Sequence, residues 1–215
     1  MTTARVVVVD SGIDGAHPAL RGHRVVTGPA FVADGPPASP QRNDTEGDRL
    51  GHGTAVAATI VRFVPPGSAL ELVSLRVFGA QPTCDFAAVL LALQHALTLA
   101  PTIVNLSLGT TSLRYRAALT PLVAAARAQG VRLVAPASYG GLPCDPGGID
   151  GVEAVVADAN VLPMLPELRP HGRRLVWFAS PLPPPDADGV RRLRARGDSL
   201  AVAAVTGFLV RQALG

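Results

Sequence analysis

The chain has 215 residues, 48% of them hydrophobic and only 16% charged, a balance that supports a buried core and excludes a disordered chain. A formal net charge of +3, carried on arginines without a single lysine, gives no basic face with interleaved aromatics and excludes a nucleic-acid partner. No uninterrupted apolar run is long enough to cross a bilayer, which excludes a membrane partner. The first residues, Met1 to Arg5, lead straight into a strand-like run without a secretory signal, so the expected location is cytoplasmic. In that compartment Cys84 and Cys144 are expected as two free thiols.

Val6 to Val9 is an unbroken β-branched run, which suits a strand covered on both faces in a parallel sheet. Asp10-Ser11-Gly12 ends it in turn chemistry. Asp10 therefore stands at the carboxyl end of a central strand, where open α/β sheets build their sites, or acts as a plain turn aspartate. Gly28 to Leu50 is rich in Gly, Pro, Asp and Asn and reads as surface loop. A small-residue helix then runs from Gly51 to Val61 with His52 in its first turn, between two glycines that permit close backbone approach. Leu70 to Val77 reads as a strand. Asp85 is placed to cap a helix through Leu97. Thr102 to Gly109 is the next strand, and a helix from Leu113 to Gln129 follows, closed by Gly130. Val131 to Ala135, Val152 to Ala157 and Leu175 to Ala179 complete the strands. Pro181 to Asp188 is a proline-rich loop, and Arg191 to Arg196 a solvated basic segment whose charge would attract acidic peptides. Strands alternating with helices predict an α/β fold: a doubly wound, mostly parallel sheet with helices on both faces. With no low-complexity linker and no internal repeat, one domain over residues 1–215 is expected, without a prodomain.

The last segment turns from polar loop to apolar helix at Ser199. A serine there serves as an N-cap, or as a nucleophile whose developing charge the helix terminus favours. The residues alone leave both open.

Three stretches combine in order: Val-Val-Asp10-Ser-Gly-Ile-Asp, Gly-His52-Gly-Thr-Ala-Val-Ala and Gly-Asp-Ser199-Leu-Ala-Val-Ala-Ala-Val-Thr-Gly. Together they resemble the subtilisin-like serine proteases, which carry Asp, His and Ser in this chain order. Asn105-Leu106-Ser107-Leu108-Gly109 is similar to the strand that lines the substrate cleft in that family. The resemblance implies a serine endopeptidase with Asp10, His52 and Ser199 as its triad, and peptide backbone pairing along Ser107, Leu108 and Gly109. It implies that Cys144 floors the pocket for the residue before the scissile bond, and that Tyr139 occupies the place of the asparagine that donates to the oxyanion. Further departures are Ala55 and Ala58 after His52, Asp198 before Ser199, and Ala203-Ala204 after it. No cofactor or metal is expected; structural calcium is frequent in the family, but no complete ligand set maps onto this chain. The expected partner is a peptide or protein substrate, with a dedicated precursor peptide as one form of it and a partner protein as a further option. The alternatives are a catalytically impaired peptide-binding pseudoenzyme or partner subunit, and an esterase or peptide ligase using the same triad.

Overall fold

The computed structural model describes residues 3–32, 47–185 and 196–215. Strand β1 (Ala4–Asp10) is the expected valine run, and its residues 6–9 are almost wholly buried. Around it follow β2 (Arg24–Ala30), α1 (His52–Val61), β3 (Leu70–Arg76), α2 (Phe86–Thr98), β4 (Ile103–Asn105) and α3 (Arg116–Ala128). Then come β5 (Arg132–Pro136), the short β6 (Ser138–Tyr139) and β7 (Leu142–Pro143), β8 (Val152–Ala157), β9 (Glu167–His171), β10 (Arg174–Ala179) and α4 (Asp198–Leu214).

The main sheet has the order β2-β3-β1-β4-β5-β8-β10-β9. All of its pairings are parallel except that of β9, which closes one edge antiparallel to β10. Because side chains alternate along a strand, the sheet feeds two cores. Val6 and Val8 pack with α1 and α4, while Val7 and Val9 pack with α2 and α3. Asp10 shares the parity of Val6 and Val8, so its side chain emerges on the α1/α4 face. Small residues let those two helices approach closely: a Cβ at Gly207 would lie 2.6 Å from the carbonyl oxygen of Ile60.

Several elements differ from the sequence expectation. Thr102 to Gly109 forms a ladder only over Ile103–Asn105. Leu106 still donates to Val134 of β5, and beyond it the chain bonds with other segments: Ser107 with Ser199, and Thr110 with Asp145. Leu113–Tyr115 is a 3-10 turn that precedes α3. Arg24–Ala30 is an edge strand whose end, from Gly28, was expected as loop; Gly28 fits there because a Cβ would meet Leu75 at 2.7 Å. Strand β9 and the β6–β7 hairpin carry no clear apolar alternation and were not anticipated. Residues 33–46 of the expected surface loop, 186–188 of the proline-rich loop and 191–195 of the basic segment lie outside the described residues.

Candidate active site

The carboxyl ends of the central strands β1 and β4 and the first turns of α1 and α4 meet at the carboxyl end of the sheet. Asp10 is 1% exposed. Its Oδ1 accepts from the Ser11 amide at 2.7 Å and lies 2.7 Å from His52 Nδ1. A ring nitrogen at that distance from a carboxylate carries the hydrogen, which leaves Nε2 as the acceptor. Asp10 Oδ2 is buried with no hydrogen-bond partner among the described residues. A carboxylate held with one oxygen unpaired favours a nearby cation. The hydrogen bond to Asp10 raises the His52 pKa from its ordinary value, against burial, with help from the charges of Asp10 and Asp48.

His52 is the first residue of α1, after Gly51 in the left-handed region at φ +72°. Gly53 is required by contact: a Cβ there would sit 2.1 Å from the Gly12 carbonyl oxygen and 3.1 Å from Asp10 Cβ. The backbone of α1 is thus pressed onto the end of β1, and that approach brings the imidazole to the carboxylate.

Ser199 is not the N-cap of α4. Gly197 holds that position at φ +133°, and the helix starts at Asp198. Ser199 therefore lies in the first turn, where backbone amides have no intrahelical partner. Its Oγ donates to the Ser107 carbonyl at 3.1 Å, and Ser107 Oγ donates back to the Ser199 carbonyl at 3.0 Å. Behind this pair, Asn105 Nδ2 donates to Ser107 Oγ at 2.9 Å, and Thr206 Oγ1 donates to Asn105 Oδ1 at 2.9 Å. Asn105 and Thr206 are fully buried, so the network ties the start of α4 to the end of β4. Among the described residues no hydrogen bond joins Ser199 to His52. The hydroxyl must rotate away from Ser107 to engage the imidazole.

Leu108 is half-buried against the α2/α3 core, and Gly109 lies over Cys144. A Cβ at Gly109 would meet Cys144 Sγ at 3.0 Å. Cys144 is 2% exposed, and its thiol donates to the Pro136 carbonyl at 3.2 Å. Burial, with the charges of Asp145 and Asp198, pushes that thiol up to about 11, so it stays protonated and is not a nucleophile. Cys84 is likewise pushed up to about 11, by burial and by Asp85 and Asp10, and both cysteines are free. The segment under Gly109 is fixed from both sides. Thr110 and Asp145 exchange backbone hydrogen bonds at 2.9 Å, and Arg116 forks onto the buried Asp145 carboxylate at 2.7 and 3.0 Å.

Tyr139 ends β6, opposite Leu142, across a two-residue turn in which Gly140 and Gly141 have φ +57° and +80°. Its side chain is 66% exposed, and its hydroxyl has no hydrogen bond among the described residues.

Asp48 escaped the sequence reading, which placed it in surface loop. Its Oδ1 accepts from Ser11 Oγ, the Leu50 amide and the Gly51 amide at 2.8, 3.1 and 2.8 Å. Its Oδ2 accepts from the Thr54 amide and Thr54 Oγ1 at 2.8 and 2.6 Å. An acidic residue just ahead of a helix start was the available signal. Among the described residues no group of three or more His, Cys, Asp or Glu side chains is placed to hold a metal ion, and no helix is long and apolar enough to cross a membrane.

A model of the subtilase family matches residues 2–140, a span that includes Asp10, His52 and Tyr139 and ends before Ser199. Among solved structures, the chain is similar to a cold-adapted subtilisin-like serine proteinase at 21% identity and TM-score 0.68, covering 97% of this chain and 75% of that one. It is similar to a lanthipeptide protease at 18% identity and TM-score 0.65, covering 95% and 71%. It is also similar to the prenylagaramide maturation protease PagA at 17% identity and TM-score 0.61, covering 95% and 72%. At these identities the likeness is one of fold.

Proposed function

Because this chain belongs to the subtilase family, we propose that it is a serine peptidase in which Ser199 attacks the scissile carbonyl, His52 serves as base and then acid, and Asp10 orients the imidazole. The observation that carries this reading is the 2.7 Å contact between His52 Nδ1 and the buried Asp10 carboxylate. That contact fixes the tautomer with Nε2 free, which is the state a general base needs. Once rotated off the Ser107 carbonyl, the Ser199 hydroxyl gives its proton to Nε2 as the carbon–oxygen bond forms. His52 then delivers that proton to the leaving amine. The Ser199 amide, in the first turn of α4, is a donor for the tetrahedral oxyanion.

The extended stretch Ser107-Leu108-Gly109 offers backbone for pairing with a peptide substrate. If Cys144, packed under Gly109, floors the pocket as the resemblance implies, that pocket is shallower than one floored by glycine and suits a small residue before the scissile bond. Two of the similar structures are named as proteases of a lanthipeptide and of prenylagaramide maturation. This supports a precursor peptide as substrate. The second reading, a peptide-binding pseudoenzyme, draws on Tyr139: it offers no side-chain amide at the position the family fills with asparagine, and the residue is 66% exposed.

A fluorophosphonate probe separates the two, since it reacts only with an activated serine. Labelling is expected on wild-type protein, lost in Ser199→Ala and reduced in His52→Ala. A folded wild-type protein that takes no label would leave the pseudoenzyme.

A further inference from the structure

Asp48 gathers five hydrogen bonds onto one carboxylate, from three separate places around the candidate site. One comes from Ser11, the residue after Asp10. Two come from the Leu50 and Gly51 amides immediately before His52. Two come from Thr54, in the first turn of α1. The partners are themselves engaged. Ser11 Oγ accepts the Gly53 amide at 2.9 Å, and Thr54 Oγ1 accepts the Asp14 amide at 2.9 Å. Every backbone amide from Leu50 to Thr54, apart from that of His52, thus ends on Asp48 or on a hydroxyl that Asp48 holds. The first-turn amides of a helix need an outside acceptor, and a carboxylate also complements the positive end of its dipole. Asp48 supplies both, and through Ser11 it ties that helix start to the end of β1.

We propose that Asp48 is a positioning residue: it locks His52 against Asp10 and supplies a second negative charge that stabilises the imidazolium. The inference rests on the peptidase reading above for its kinetic consequence, but not for its effect on His52. Among the described residues, the charges that raise the His52 value are Asp10, from β1, and Asp48, from the segment before α1. Arg76, buried at the end of β3, stands in register with Asp10, and Cys84, from the loop before α2, is a protonated thiol within electrostatic reach of Asp10. A general base works in its neutral form, so turnover rises as pH climbs through the His52 value. That value is raised in the wild type, so the acid limb is shifted upward from the ordinary histidine value. Removing the Asp48 charge moves the limb to lower pH.

The test follows the His52 imidazole by NMR through a pH titration, on a Ser199→Ala background that needs no turnover. It is paired with kcat and KM for an activated ester with Ser199 in place. Asp48→Asn is expected to lower the His52 midpoint and to lower kcat about tenfold to a hundredfold through misplacement of the base, with KM nearly unchanged. Ser11→Ala keeps the charge and cuts the tie to β1; it is expected to lower kcat while leaving the midpoint in place. A folded Asp48→Asn with the wild-type midpoint, or with the wild-type kcat, overturns the inference. If Asp48→Asn does not fold, a wild-type kcat in Ser11→Ala overturns it. If the wild type shows no Ser199-dependent turnover, the peptidase reading has failed, and the His52 midpoint alone decides about Asp48.

Discussion

At the residue scale, the proposed peptidase reading turns on Tyr139, which the family resemblance sets at the oxyanion position. A tetrahedral oxyanion gains more from a fixed donor than the ground-state carbonyl does, so each missing donor raises the barrier selectively. Tyr139 is 66% exposed and its hydroxyl has no hydrogen-bond partner among the described residues, so nothing there holds it as a fixed donor. Tyr139→Phe is therefore expected to leave ester and peptide turnover unchanged. Tyr139→Asn is expected to raise peptide turnover, toward the roughly 10²–10³ that one such donor carries in subtilisin. Steady-state rates on one peptide and one ester check both variants. Loss of turnover in Tyr139→Phe would mean that the phenol itself reaches the oxyanion.

At the element scale, the link between α3 and the segment under Gly109 stands out. A basic residue at the first position of a helix opposes its dipole. Arg116 is there because Asp145 is: that carboxylate is 1% exposed and receives both prongs of the guanidinium, which keeps the arginine charged. Arg116 is itself 46% exposed, so the pair is not fully buried, but removing the arginine leaves the buried Asp145 carboxylate short of two donors, at a cost of about 1–3 kcal/mol. Arg169 pairs with Glu167 and with Asp158, all three side chains reach solvent, and such surface pairs contribute little. Urea unfolding is expected to reveal a clear loss for Arg116→Ala and almost none for Arg169→Ala. Equal effects would mean that Asp145 is resolvated when Arg116 is removed.

At the scale of the whole molecule, one sheet serves two cores, so neither half has an apolar face of its own to fall back on. Trp177, the only tryptophan, sits on β10 near one edge and meets Phe208 of α4 edge-on at 5.7 Å. Far-UV circular dichroism averages over the entire chain. If the sheet unfolds as one unit, tryptophan fluorescence and circular dichroism trace the same urea transition. An earlier fluorescence transition would show the β9–β10 edge opening by itself.

The sequence by itself determined the sheet and most of the helices, because the signals are local. The Val6–Val9 run, the Asp85 cap and the spacing of apolar residues in α2 each act within a few residues. It also singled out the candidate side chains, since Asp10, His52 and Ser199 lie in short motifs at element ends. Elements at the sheet edge were poorly legible. Strand β9 reads Glu-Leu-Arg-Pro-His, a composition that an edge tolerates and that carries no alternation. Only the tertiary structure decided how the candidate site is wired. The five bonds of Asp48, the Asn105–Thr206 contact behind Ser107, and the seat of Cys144 beneath Gly109 join segments far apart along the chain. Such contacts depend on how strands order and how closely helices press together, and here glycines with no room for a Cβ set those approaches. A hydrogen bond between residues 101 positions apart, as between Asn105 and Thr206, leaves no periodic trace in sequence.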